Sequence, residues 1–455
     1  MSVTLRRAKF WYHLTTAYLS RYKLRLAAAI LIIFTIGLSF IKLFPLVARS
    51  NVVTIGYVGA YTIENIPAEA LTLATDTLIG TDENGRPQPA LASYWSVSPD
   101  GKTYVVFLKD NLKWHDGTNV DAQNIAIAIQ DVKITAVNNK TLEFKLPNPI
   151  SSFPQALSKP IFKAQSFYGT GQFRIVKIDK VDNIVKLIVL HPKEPDLPRV
   201  EIKFYSSEDQ LASAIKIGEV KSANLLSAQK IQNWPNLTVD KKVDNLETAT
   251  IFLNNDDALL SSKEVRQALN FAIDKGVFEG HSALGPVPEN SWAFNDAVKK
   301  YDYNVQKAKE LITKAGAKDL KVTLSTTPEL KEITVKIKDF WQAVGVNVEI
   351  KEEKTVPVSF QALLALSKVS PDPDQYSLWH STQKSTNITH YKNVKIDKLL
   401  EDARANIDEE KRKELYFDFQ RFLEEDSPVI FLYHPYKYTI TYKNAAALLS
   451  KLPHD

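Results

Sequence analysis

The stretch LKVTLSTTPELKEITVKIKDFWQAVGVNVEIKE (320–352) contains a clear folding signal. Its two ends, LKVTLST (320–326) and VNVEIKE (346–352), are rich in β-branched residues that alternate with polar ones, as expected of half-buried strands. The segment between them, 329–344, has apolar residues at helical spacing, namely Ile333, Ile337, Phe340, Trp341 and Val344. Because strands joined through a helix pair in parallel, we expect a strand–helix–strand unit here.

Strands and helices alternate on both sides of this unit. Their β-branched and aromatic content predicts further strands at 52–59, 103–109, 185–191, 200–206, 429–434 and 438–443. Capping residues and apolar spacing predict helices at 208–217 before Gly218, after a capping box at 261–264, after Asn304, and at about 394–405 and 409–424. This alternation predicts a fold with α/β or α+β layers.

The composition is that of an ordinary soluble globular protein, with 44% hydrophobic and 24% charged residues. The 455 residues suffice for about three domains of roughly 150 residues and for a large core. The chain has no cysteine. This excludes disulfides, thiolate catalysis, Cys-ligated metal sites and a lipid-modified N-terminal cysteine.

The positive charge of the chain is concentrated at its N-terminus. Residues 1–50 contain eight Lys or Arg and no Asp or Glu. Without those eight of the 57 basic residues, residues 51–455 have 49 basic against 52 acidic side chains, a net charge of −3. The main body therefore gives no electrostatic reason to bind nucleic acid.

Residues 26–48 are predicted to form a single transmembrane signal anchor. Its first 16 residues, 26–41, are uncharged, and the apolar run resumes after Lys42, which approaches the roughly 20 residues of a spanning helix. Six positive charges in the basic segment 1–25 place the N-terminus in the cytoplasm and everything after about residue 50 outside. The alternative is a cleaved signal peptide with its small-residue site at 48–50.

The sequence shows no assembled active site. It has no G-x-S-x-G, H-E-x-x-H or Walker motif, and 169–171 (GTG) is best interpreted as a tight bend. His380 and His390 are candidate ligands on one predicted loop, but a solvated or core position is the favoured interpretation. The acidic pair in 372–374 fits a turn, and the Pro and Asp residues of 370–381 favour an exposed turn over a regular strand. We therefore predict no enzyme activity, no cofactor and no metal site.

Seven blocks occur in the order typical of a known family. They are 89–129, 168–175, 211–220, 251–275, 285–292, 303–316 and 370–381. Their most specific parts are Trp114-His115-Asp116-Gly117-Thr118 and the segment 265–274. From about residue 52 to 444 the chain resembles the extracellular solute-binding proteins of ATP-binding-cassette importers, family five, the dipeptide, oligopeptide and nickel group.

The resemblance implies an α/β, two-lobed periplasmic-binding-protein-like fold (type II, large cluster) behind the anchor. Lobe one would comprise 51–248 plus 432–455, and lobe two 249–431. It further implies a cell-membrane protein whose bulk lies on the extracellular or periplasmic side and which delivers a small solute or peptide to permease subunits. The alternative is an anchored surface sensor or scaffold with the same fold; an enzyme on this fold ranks last.

Ligand contacts are predicted for aromatic and polar residues expected to face the cleft between the lobes. The candidates are Tyr61, Asn254, Trp292, Trp379 and His380, each with plain packing as the competing account; Trp95, Trp114 and Trp341 are expected in cores or structural turns.

One departure from the family concerns ligand charge. The family's peptide binders have an Asp, paired with the ligand's α-amino group, where this chain has Val369. An apolar side chain cannot neutralise an ammonium, which argues against peptide specificity.

Overall fold

The computed structural model describes residues 10–13, 16, 21, 22, 35, 51–229, 231, 233–317, 319–370 and 372–453. The predicted cytoplasmic segment 1–25 and anchor 26–48 therefore lie almost entirely outside the described residues. Within the described ranges, none of the helices combines the length and the apolar character that a membrane crossing requires.

The strands of the described part are β1 Val52–Val58, β2 Ile79–Thr81, β3 Pro87–Pro89, β4 Ala92–Val97, β5 Thr103–Leu108, β6 Ile125–Ala126, β7 Lys133–Asn138, β8 Thr141–Lys145, β9 Phe162–Lys163, β10 Phe173–Val181, β11 Ile184–Pro192, β12 Arg199–Tyr205, β13 Ser222–Leu225, β14 Leu237–Val243, β15 Glu247–Leu253, β16 Gly280–Ser282, β17 Lys321–Thr326, β18 Asn347–Glu352, β19 Ala362–Lys368 and β20 Val429–Tyr442. The α-helices are α1 Phe153–Ala156, α2 Glu208–Lys216, α3 Lys263–Phe271, α4 Val305–Lys314, α5 Lys331–Ala343, α6 Tyr376–Trp379, α7 Val394–Ala405, α8 Glu409–Asp426 and α9 Ala446–Leu449.

The strand–helix–strand unit predicted at 320–352 is confirmed. β17 and β18 pair in parallel from Lys321↔Asn347 to Thr326↔Glu352, with α5 between them in the chain. Trp341 is fully buried on the inner face of α5, and its Nε1 donates to the backbone O of Leu269 over 3.0 Å. The helix is thereby fixed against the sheet and against α3.

The main sheet joins two halves of the chain through one long strand. Its order is β10-β11-β12-β1-β13-β20-β15-β19-β17-β18, and β14 and β16 also pair with β20. The first part of β20 pairs with β15 (Phe252↔Val429 to Ala249↔Tyr433), and its second part pairs with β13 and β14. The two halves are therefore connected through the backbone of β20.

The prediction of separate strands at 429–434 and 438–443 is wrong, because β20 continues through Pro435. Proline lacks a backbone N–H and usually interrupts a central ladder. Here it lies where β20 passes from β15 to β14, and its carbonyl still accepts from the N–H of Asp244 over 2.9 Å. Because no backbone N–H is needed at the point where β20 changes its partner strand, the strand tolerates the proline.

Both faces of the second-half sheet are covered. Ala249, Ile251 and Leu253 of β15 are buried in the core formed with α3, α4 and α5. Because side chains alternate along a strand, Thr248 and Phe252 point to the opposite face. That opposite face forms the base of the site described below.

A smaller sheet, β4-β5-β8-β7, lies in the first half. It has its own core, in which Trp114 is buried as predicted. The Arg86 guanidinium donates through two nitrogens to Glu409 at the start of α8, at 2.9 and 3.1 Å. Further along, the Oγ of Ser152 donates to Asp374 over 2.5 Å. These bonds connect the β2–β3 turn and the start of α1, both in the first half, with the second half.

Candidate ligand-binding site

A cavity of about 240 Å³ lies on the face of β15, β19 and β20 opposite to the α3–α5 core. Its base is formed by apolar side chains from all three strands, among them Phe252, Leu363 and Phe431. They share this face because their positions are in register across the ladders: Phe252 pairs with Leu363, and Thr250 pairs with both Ala365 and Phe431. The sheet thus presents a preformed apolar surface to the cavity.

The opposite wall is built from α6 and the loop at 386–389. Trp379 is only 3% exposed, and its indole Nε1 donates to Oε1 of Gln375 over 2.7 Å. The Nε2 of Gln375 in turn donates to the carbonyl of Pro286. This relay fixes the indole ring in the wall of the cavity.

Polar side chains in the wall are bonded to other protein groups. The hydroxyl of Thr248 lies 3.2 Å from Nδ1 of His434, which donates to the carbonyl of Glu247 over 2.9 Å. Burial lowers the pKa of His434, which favours the neutral ring, and the carbonyl partner places the proton on Nδ1. The hydroxyl of Thr389 donates to Oδ1 of Asn387 over 2.9 Å.

Two ion pairs support the segment that carries α6. The Nη2 of Arg412 donates to the Oδ1 of Asp372 over 2.9 Å, and the Nε of Arg404 donates to Asp374 over 2.9 Å. Burial raises the pKa of Asp372, and the Arg412 guanidinium opposes that rise. The expectation of an exposed turn across 370–381 is therefore wrong, because Asp372 and Trp379 are 2% and 3% exposed.

Of the five predicted contact residues, Trp379 lines this cavity. His380, next to it, is buried, and its ring bonds to Thr382 and Glu401 at 2.8 and 3.2 Å, on the other side of the wall. Asn254 donates to the carbonyl of Phe360 over 3.1 Å, and its Oδ1 lies 3.0 Å from Nδ1 of His390.

The remaining two candidates are not among the lining residues of the cavity. Trp292 is buried in the core that also contains Trp379, with its ring 5.1 Å from the Arg412 guanidinium, and its backbone N–H donates to the carbonyl of Asn84 over 3.2 Å. Tyr61 is in the first half, with its ring 5.4 Å from Phe204. Ligand contacts through all five candidates, Trp379 included, therefore stay predictions.

Sequence reasoning missed the strand residues of the cavity, notably Phe252, Leu363 and Phe431. The segments ETATIFL (247–253) and ALLALSK (362–368) are buried on both faces. A run without alternation indicates a strand that is buried on both faces. It cannot show which face packs in a core and which borders a cavity.

A second cavity, of about 710 Å³, opens between the small sheet and α7 and α8. Its wall is charged, with Asp100, Asp402, Lys411 and Glu414 among the lining residues. Ligand sites bury most of their ligand in a largely apolar concavity, which favours the 240 Å³ cavity. Across the described part of the chain, three or more His, Cys, Asp or Glu side chains nowhere gather into a group suited to a metal ion.

A family model described as bacterial extracellular solute-binding proteins, family 5 Middle, matches residues 86–388. The probable D,D-dipeptide-binding periplasmic protein DdpA of Escherichia coli is 24% identical over 75% of this chain and 78% of its own length. The oligopeptide-binding protein AppA of Bacillus subtilis is 25% identical over 82% of this chain and 83% of its own length.

Solved structures resemble this one over most of its length. NikZ from Campylobacter jejuni, crystallised with Ni(L-His), has a TM-score of 0.74 at 23% identity, covering 87% of this chain and 94% of that one. AppA from Bacillus subtilis, crystallised with a nonapeptide, has a TM-score of 0.70 at 22% identity, covering 86% and 94%. At such identities the similarity shows the fold.

Proposed function

Since this chain belongs to family 5 of the bacterial extracellular solute-binding proteins and has their mixed α/β, two-lobed fold, we propose that it captures a small solute and delivers it to an ATP-binding-cassette permease. The observation that carries the proposal is the apolar cavity of about 240 Å³ on the β15-β19-β20 face. A preformed concavity of this kind is typical of ligand sites.

The proposed mechanism is binding without a reaction. Catalysis needs a nucleophile or a general acid–base near the substrate. The described residues around the cavity offer the hydroxyls of Ser367 and three threonines and the amine of Lys368, but no His, Cys, Asp or Glu. DdpA and AppA are named as dipeptide- and oligopeptide-binding proteins, which supports a small solute or peptide as the ligand.

We place the ligand between a lobe of 51–248 plus 432–455 and a lobe of 249–431. The connections at 243–247 and 434–437 support this division, because the chain passes from β14 to β15 at the first and β20 passes from β15 to β14 at the second. The cavity belongs to the second lobe, since its described lining residues other than Thr248 all fall within 249–431. It lies near the connections through Thr248 and Phe431, where the first lobe would cover it. A rotation of one lobe about such short links would open or cover the ligand.

A screen of small solutes tests the binding proposal. We expect one class among peptides, sugars and nickel complexes to raise the melting temperature, since a ligand at 100 times its dissociation constant adds about 2.7 kcal/mol to the stability of the folded state. Differential scanning calorimetry measures the shift. Turnover of a screened compound that one substitution abolishes would contradict a pure binding role.

Uptake measurements separate transport from sensing. The ligand found in the screen, supplied in labelled form, should enter cells that contain the chain and its permease and stay outside cells that lack the chain. Binding without any loss of uptake would favour the sensor or scaffold alternative.

The anchor at 26–48 completes the proposal. It would hold the binding lobes at the extracellular or periplasmic face of the cell membrane. A soluble relative would instead diffuse away from that membrane. The uncharged run of 26–41 and the basic residues of 1–25 support it.

Removing the anchor should release the binding lobes. A chain that begins at Asn51 is expected to stay in the supernatant after ultracentrifugation and to elute as a monomer, whereas the full chain should sediment with membranes, because 51–455 contains no other uncharged apolar run near 18 residues. Fractionation followed by size-exclusion chromatography measures both properties. Membrane association of the shortened chain would show that the anchor is misplaced.

A further inference from the structure

We propose, resting on the function proposed above, that the solute inserts an uncharged apolar group of about the size of an aromatic ring into the 240 Å³ cavity, and that the cavity rejects an ammonium group. The substrate class is therefore small molecules with an apolar ring and no cationic group next to it. The size, the lining and the charge of the cavity each support this assignment.

The volume of the cavity fits a substituted ring. An apolar cavity of about 150 Å³ holds benzene, and this one measures about 240 Å³. The aromatic side chains of Phe252, Trp379 and Phe431 form part of its wall. Aromatic rings pack on one another in offset or edge-to-face arrangements, so these walls suit a flat apolar guest.

The lining offers few free polar partners. The side chains of Gln375, Trp379 and Thr389 bond to groups within the protein, as do those of Thr248 and Thr386. A polar group of the ligand would lose its hydrogen bonds to water on entering the cavity. The wall side chains, already bonded within the protein, would not replace them, and a buried polar group without a hydrogen bond costs free energy. An apolar group has no such loss.

The charge near the cavity is unfavourable for a cation. Lys368 is the charged residue among the described residues of the wall, and it is a base. Glu247, opposite Lys368 in the ladder, is partly buried, and burial raises its pKa. The acids just beyond Lys368 in the chain, Asp372 and Asp374, are paired with Arg412 and Arg404. Val369 lines the cavity between them, with its N–H bonded to the carbonyl of Leu246 over 2.8 Å.

Three probes with the same ring and a three-carbon chain test the proposal: 3-phenylpropanamide, 3-phenylpropionate and 3-phenylpropylamine. Their affinities are measured by ligand-observed NMR on the full chain in lipid nanodiscs, with empty nanodiscs as the blank. We expect the amide and the carboxylate to bind at least tenfold more tightly than the amine. An amine that binds as tightly as the amide would overturn the proposal.

Two variants test whether the difference in affinity between the probes arises in the cavity. Val369→Asp supplies the missing carboxylate and should improve binding of the amine at least tenfold. Ala365→Leu fills part of the cavity and should weaken binding of the amide at least tenfold. The matched control is Val358→Asp, at a position that is fully exposed, and it should leave all three affinities unchanged.

The comparison of the three probes on the natural chain needs no variant, so it decides the proposal even if a substitution prevents folding. Unchanged amide binding in folded Ala365→Leu would also overturn it. If none of the probes binds while a solute from the thermal screen does, this inference fails and the solute-binding function stands. If neither the probes nor any screened solute binds, both fail.

Discussion

Replacing Arg412 by Ala is expected to lower the free energy of unfolding by about 3–5 kcal/mol, because it leaves a buried charge without its partner. The Asp372 side chain is 2% exposed and that of Arg412 is 9% exposed. One guanidinium nitrogen bonds to both carboxylate oxygens at 2.9 and 3.1 Å. Urea unfolding followed by tryptophan fluorescence measures the loss.

The same helix offers a matched control for that prediction. Arg421 forms a pair with Asp418 at 2.8 Å, but both side chains are about half exposed, so Arg421→Ala should cost less than about 1 kcal/mol. The double change Arg412→Met with Asp372→Leu should cost less than Arg412→Ala alone, because it leaves no unpaired charge. An equal loss of unfolding free energy for Arg412→Ala and Arg421→Ala would contradict the prediction that burial makes the Arg412 pair the costlier one to break.

Replacing Trp379 by Ala is expected to destabilise the unliganded protein by about 3–5 kcal/mol, as for other buried tryptophans. Its indole is 3% exposed, packs in the core that contains Trp292 and Tyr416, and donates a hydrogen bond to Gln375. An exposed cleft position would instead leave unliganded stability nearly unchanged. Because Trp379 also lines the cavity, solute binding should weaken as well.

Thermal unfolding without ligand checks this second prediction. Trp234 is 38% exposed, so Trp234→Ala serves as the control and should change stability little. Trp379→Phe should recover part of the loss, since it restores an apolar ring without the hydrogen bond. A melting temperature for Trp379→Ala equal to that of the natural chain would show that the indole is dispensable for packing.

Local patterns in the sequence predicted the local structure well. The parallel unit at 320–352 is confirmed because its strand and helix periodicities are unambiguous over whole elements. The helix cap was predicted one residue early: Ser262, rather than Ser261, accepts from the N–H of Val265 over 3.4 Å. Two adjacent serines satisfy the same capping pattern, so sequence cannot choose between them.

Features that depend on distant partners were harder to predict. Pro435 and its flanks indicated a break, yet β20 is continuous because Asp244 and the β14 ladder meet it at that point. Asp372 and Pro373 indicated an exposed turn, but Arg412, 40 residues later, pairs with that aspartate and buries it. Such pairings are invisible in a local window, which explains why the candidate site was located only in part.

The shared strand β20 has a consequence for synthesis. Its partners β13, β14, β15 and β16 all precede residue 283, whereas β20 begins at Val429. Neither half of the sheet can be completed until β20 leaves the ribosome. Pairing between strands so distant in the sequence is also slow. The nascent chain therefore exposes unpaired strand edges, which invite aggregation. Export before folding is complete would spare the cytoplasm that hazard.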